Sequence, residues 1–141
     1  MLRCPALVRS WGNPRRSSAL LGLGYFTVRF YYDAKGNKPV LAFLEDLRQQ
    51  DPTLHKLVVA GIKKLEKSER HGLPLTVLVD QKDMLFELRV GDKNIARIFF
   101  FFQRDQQIIL TNGYVKKQQK IDTRALQRAR TYKKEWEQRQ V

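Results

Sequence analysis

Three segments in the second half of the chain constrain its fold more than any other feature. Met84 to Val90, Asn94 to Phe102 and Gln107 to Lys116 are each rich in β-branched and aromatic residues. Their connectors, Gly91-Asp92-Lys93 and Gln103 to Gln106, have hairpin length. The spacing predicts an antiparallel meander. Phe99, Phe100, Phe101 and Phe102 occupy its middle segment, which reads as a central strand packed on both faces or, alternatively, as a platform for stacking bases.

Upstream, Tyr25 to Tyr32 predicts a first strand, closed by turn chemistry at Asp33, Lys35, Gly36 and Asn37. A helix follows, with Asn37 as its cap, Pro39 in its first turn, and an apolar stripe of Val40, Leu41, Phe43, Leu44 and Leu47. Asp51-Pro52 reads as the cap and first position of a second helix, which runs through Leu54, Leu57, Val58, Ile62 and Leu65 towards Gly72 and Pro74. These two helices are expected to form a hairpin. Residues 75 to 83 read as a short strand or a loop. Near the end, Asp122 or Thr123 can cap a helix that buries Ala125, Ala129, Tyr132 and Trp136. The expected architecture is α+β, a mostly antiparallel four-stranded sheet with an N-terminal helical hairpin and a C-terminal helix, formed by residues 25–141. Residues 1–24 mix Pro, Gly, Ser and Arg without a sustained period and read as a poorly ordered extension.

Charge narrows the function. Lys and Arg number 27 against 14 Asp and Glu, for a net charge of +13. The first 24 residues hold four basic and no acidic groups, and residues 112–141 hold nine and three. Such an excess favours a polyanionic partner, nucleic acid first, through Coulomb attraction and counterion release. Cys4 is the only cysteine, so no internal disulfide can form, and no Cys/His cluster has zinc-ligand spacing. A reducing, cytoplasmic setting is the expectation. No apolar run approaches the ~20 residues that span a bilayer, so no membrane role is expected.

Candidate chemistry concentrates on the meander. Period-two alternation places Glu87 and Arg89 on one face of their strand, and sets Arg97 among Ile95, Phe99 and Phe101 on the next. A charge in an apolar row needs a partner or a ligand. Glu87 can be that partner across the strands, so Glu87, Arg89 and Arg97 read equally as a structural ion pair or as a phosphate clamp. The third strand ends in Tyr114-Val115-Lys116-Lys117, with Lys120 following. Neighbouring cations depress a lysine pKa, so one of these lysines could act as a base or acid near neutrality. The other reading is a solvated basic turn. Arg124 and Arg128 lie on the basic face of the last helix and are assigned to the RNA backbone. His55 and His71 read as surface residues, and no metal, cofactor or Ser/His/Asp motif is present in the sequence.

The order of these pieces resembles the RelE/ParE superfamily, and within it the HigB-like, phage-derived branch. The resemblance rests on Leu85-Phe86-Glu87-Leu88-Arg89, then Ala96-Arg97-Ile98, then Leu110-Thr111-Asn112-Gly113-Tyr114-Val115-Lys116-Lys117 with Lys120, and on the helix carrying Ala125, Ala129 and Lys133-Lys134. It spans roughly residues 26 to 136. It implies the toxin of a type II toxin–antitoxin pair, a ribosome-dependent messenger-RNA endonuclease held by a helix-turn-helix antitoxin. It also implies catalytic roles for Lys116, Lys117, Tyr114 and Arg97 and phosphate-holding roles for Arg89 and Lys120, without a metal, leaving a 2',3'-cyclic phosphate end. A ParE-like gyrase poison without nuclease activity is the alternative. Members of this branch often carry Phe where this chain has Tyr114, and Pro near Asp122. Because the domain looks bacterial, residues 1–24 are read as translation begun upstream of the true start rather than as a transit peptide.

Overall fold

The computed structural model describes residues 25–69, 71–72, 74–116 and 122–139. The expected N-terminal extension, Lys117 and Lys120 lie outside the described residues. The elements run β1 (Thr27–Phe30), α1 (Pro39–Gln50), α2 (Pro52–Lys67), β2 (Thr76–Asp80), β3 (Leu85–Gly91), β4 (Ile95–Gln103), β5 (Gln107–Lys116) and α3 (Thr123–Arg139).

The meander forms as its sequence predicts, but the sheet is larger than expected. It has five strands in the order β1-β5-β4-β3-β2. The stretch read as strand or loop contains β2, antiparallel to β3, while β1 runs parallel to β5, pairing Thr27 with Gln107 and Phe30 with Leu110. The sheet is therefore mixed. The helical pair follows a first strand, as the element order predicts, so it is internal rather than N-terminal: α1 and α2 lie between β1 and β2 in the chain and are joined through the single residue Asp51. Asp51 serves both helices. Its backbone N–H donates to the Leu47 carbonyl at the end of α1, and its carboxylate accepts from the Leu54 N–H at 3.2 Å at the start of α2. Asn37, by contrast, is not a cap. Lys38 takes that position without a side-chain bond, because Asn37 donates through its backbone to Asp33 Oδ1 at 2.9 Å and closes the turn instead.

Two cores sandwich the sheet. Val40, Leu44, Leu47, Leu54, Val58 and Leu65 of α1 and α2 pack against Leu88, Ala96, Ile98, Phe100, Ile108 and Leu110 on one face. Ala125, Leu126, Ala129 and Trp136 of α3 pack with Tyr31 against Leu85, Phe99, Phe101 and Ile109 on the other. β4 is thus covered on both sides, and the fully buried ring of Phe99 is no open platform for bases. Polar ties hold α3 along its length: Asn112 Nδ2 to the Ala125 carbonyl at 3.0 Å, Arg130 Nε to Asp80 Oδ2 at 2.6 Å, and Trp136 Nε1 to Gln103 Oε1 at 2.6 Å.

The β4–β5 ladder contains a bulge. Phe100 pairs with Leu110 and Ile98 with Gly113, so Phe99 stands opposite two residues, Thr111 and Asn112. Ile108 and Leu110 face α1 and α2 before the bulge; after it Gly113 and Val115 do, which sends Tyr114 and Lys116 to the α3 side. Gly113 passes close under α1, where an added Cβ would sit 2.8 Å from the Phe43 ring.

His71 departs from its reading as a surface residue. Its ring lies 5.0 Å from that of Phe26 and 5.7 Å from that of Phe102, and its Nε2 is 3.0 Å from the Leu65 carbonyl. Burial lowers its pKa, with the Leu65 bond opposing that shift.

Candidate functional site

Glu87 is at the centre of the cluster that the sequence picks out. Its neighbours Phe86 and Leu88 point into the α1–α2 core, so strand alternation turns Glu87 to the α3 face. There it is fully buried. A buried carboxylate is tolerable only when its charge is matched and its oxygens are bonded, and three side chains meet that requirement. Arg89 Nε donates to Oε1 at 2.9 Å, Arg97 Nη1 donates to the same oxygen at 2.8 Å, and the Tyr114 hydroxyl donates to Oε2 at 3.2 Å.

The three donors differ in depth. Arg97 keeps only 11% of its side chain in contact with solvent, against 34% for Arg89. Arg97 Nε is buried and has no hydrogen-bond partner among the described residues, a deficit that typically costs about 1–3 kcal/mol. Tyr114 stacks on Phe99 with ring centroids 5.8 Å apart. Its pKa is raised, first by burial and then by the Glu87 charge, with the Asp122 backbone N–H and Arg97 pulling the other way. Tyr114 therefore stays protonated at neutral pH and acts as a donor.

Lys116 lies two residues beyond Tyr114 on the same face, where β5 meets Ile95 at the start of β4. Partial removal from water lowers its pKa first, Arg97 and Arg89 lower it further, and Glu87 partly offsets them. The charged form is thus less favoured than in a free lysine.

Of the residues singled out in the sequence, Glu87, Arg89, Arg97, Tyr114 and Lys116 come together. Lys117 and Lys120 lie outside the described residues. Arg124 and Arg128 are exposed on α3, and among the described residues no hydrogen bond or ion pair joins either of them to the Glu87 cluster. Asn112 was missed. Buried at the bulge, it accepts from Thr111 Oγ1 at 2.9 Å and holds the first turn of α3 through Ala125, so it helps set where α3 starts beside Tyr114. Its signal was an amide within an apolar strand. Asp122 caps α3, accepting from the Ala125 N–H at 3.0 Å. His71 lies on the opposite sheet face from this cluster, packed with Phe26 and Phe102. Among the described residues no three His, Cys, Asp or Glu side chains group as metal ligands, and no helix is long and apolar enough to cross a membrane.

The fold and the cluster define a small α+β protein with a cationic centre built on a five-stranded mixed sheet. Residues 45–134 match the family model described as Phage derived protein Gp49-like (DUF891). The chain belongs to this family of RelE/ParE-like toxins of toxin–antitoxin systems, and membership implies an antitoxin as partner. No curated protein matches the chain. The match covers α2, β2 to β5 and most of α3, and so includes every described residue of the cluster.

Proposed function

We propose that the protein is a ribosome-dependent messenger-RNA endonuclease of HigB type, which works with side chains alone and blocks translation in the cytoplasm. The observation that carries this reading is Lys116, its pKa lowered, placed beside two arginines that share one buried carboxylate. RNA cleavage of this kind needs a base for the ribose 2'-hydroxyl and cations for the crowded phosphate. Neutral Lys116 takes the 2'-hydroxyl proton, and the 2'-oxygen bonds to the adjacent phosphorus. The bond from phosphorus to the 5'-oxygen breaks, leaving a 2',3'-cyclic phosphate, and the departing oxygen takes a proton from water or from a neighbouring lysine. The cationic centre stabilises the added negative charge, with the arginines always protonated. Arg124, Arg128, Lys117 and Lys120 are assigned to the RNA backbone through charge.

The test is induction of the full chain in bacteria with mapping of transcript 5' ends, beside a Lys116→Ala variant. Cuts within translated frames that fall by about 10² in the variant support the reading. Equal cutting by both overturns the role of Lys116. Growth arrest with intact transcripts overturns the nuclease and moves the reading to a ParE-like toxin that acts by binding its target.

A further inference from the structure

The two arginines at Glu87 are not equivalent. Both bond to one oxygen, Oε1, while Oε2 receives only the Tyr114 hydroxyl, at the longer distance of 3.2 Å. Arg89 uses its Nε, is one-third exposed, and lies at the outer side of the cluster. Arg97 uses Nη1, is nearly buried, and holds its Nε without a partner among the described residues. A guanidinium presents its donors as a fork suited to both oxygens of a carboxylate. Neither arginine uses such a fork on Glu87, since each gives it one N–H; Arg97 does so from within, and Arg89 is the one that can reach solvent. The two strands set this asymmetry: Arg89 and Arg97 are direct cross-strand partners, whereas Glu87 faces Phe99, so each arginine reaches the carboxylate diagonally or along its own strand.

We propose that Glu87 is a positioning residue through which the two arginines divide their work: a phosphate of the RNA takes Arg89 off the carboxylate, while Arg97 stays on it through Nη1. This deepens the ribonuclease reading and rests on it for the identity of the phosphate donor. Arg89 then touches the substrate. Arg97 acts from behind, as a fixed positive charge beneath the phosphate.

The experiment uses the full chain labelled with ¹⁵N and an oligoribonucleotide whose 2'-hydroxyls are all methylated, so that it binds without being cut. The Nε–H signals of both arginines are followed, with Arg89→Lys identifying one of them. The expected result is a shifted Arg89 signal and an Arg97 signal that stays in place, as an arginine still held by Glu87 should. Arg89→Gln is expected to weaken oligonucleotide binding by about tenfold or more. Glu87→Gln, which keeps shape and hydrogen bonding but releases Arg89, is expected to bind the oligonucleotide at least as well as the parent. With cleavable RNA it should show a lower kcat without a higher KM, a split that general loss of structure would not give. The proposal is overturned if the oligonucleotide does not bind, if it binds with neither signal changed, or if Arg97 moves while Arg89 holds Glu87. Arginine exchange in a chain that cuts no RNA would support the proposal and sink the nuclease reading alone.

Discussion

Arg97 Nη1 lies 2.8 Å from Glu87 Oε1, although the strand register sets Glu87 opposite Phe99 and Arg97 opposite Arg89. The ion pair is therefore diagonal, and it places two arginines, which would otherwise repel as direct neighbours, around one buried negative charge. Removing that charge should be costly. Glu87→Ala is expected to lower stability by about 3–5 kcal/mol, because two cations and a phenol lose their acceptor. Glu87→Gln should cost clearly less. Urea unfolding of the three proteins checks the order, and equal stability for Glu87→Ala and the parent would refute it.

Lys116 should carry opposite effects on stability and activity. Its folded pKa is lowered, so the native state binds its proton less tightly than the unfolded chain does. At neutral pH the charged lysine therefore works against folding, and the penalty fades as pH rises through the folded and then the unfolded pKa. Lys116→Gln is expected to raise Tm at pH 7 while lowering RNA cleavage by about 10², with the gain in Tm gone above about pH 11. Calorimetry across that range measures it. A lower Tm for the variant at pH 7 would contradict the sign.

The same group should set the acid limb of the cleavage rate. Because Glu87 raises the Lys116 pKa against the lowering by Arg97 and Arg89, Glu87→Gln is expected to move the acid limb to lower pH. Arg89→Gln is expected to move it to higher pH. Rates of single-turnover cleavage against pH would show both shifts, and a limb unmoved by either change would exclude Lys116 as the titrating base.

His71 predicts a loss of stability in mild acid. Its folded pKa lies below the usual 6.5 because of burial, so stability is complete above 6.5 and declines as pH falls towards the folded value, where the unfolded chain alone takes up the proton. His71→Leu should flatten that decline between pH 7 and 5. Parallel slopes for the two proteins would show that the acid sensitivity comes from another group.

Gly113 should resist enlargement. A methyl group there would meet the Phe43 ring at 2.8 Å and Ile98 at 3.1 Å, so Gly113→Ala is expected to cost about 1–3 kcal/mol through overpacking. Phe43→Leu in the same chain should recover part of it. Additive losses in the double variant would mean that the contact is not the cause.

The meander, α2 and α3 were legible because their signals are local. Alternation, Asp51-Pro52 and the spacing of Ala125, Ala129 and Trp136 act over a few residues. The parallel β1–β5 pairing was not, since it joins Thr27 to Gln107 across 80 positions with no turn to announce it. The Asn37 cap failed because a nearer acceptor, Asp33, claims that residue. At the cluster, the sequence grouped Glu87 with Arg89 and Arg97 but could not reveal that Tyr114 converges on the same carboxylate. His71 was misread because a histidine near the end of a helix carries no mark of the two phenylalanines that enclose it.

The bulge at Thr111 and Asn112 has a consequence for how this chain can vary in length. One residue removed there would restore an even alternation from Leu110 to Val115 and leave Tyr114 and Lys116 facing α3, opposite Arg97 and Ile95 as before. Two residues removed would set Gly113 directly after Leu110 and turn Tyr114 and Lys116 inward towards α1, with Val115 on the α3 side. The surface that carries the cations is therefore a matter of parity: between Leu110 and Gly113 the chain can lose the one bulged residue and keep that surface, but not two.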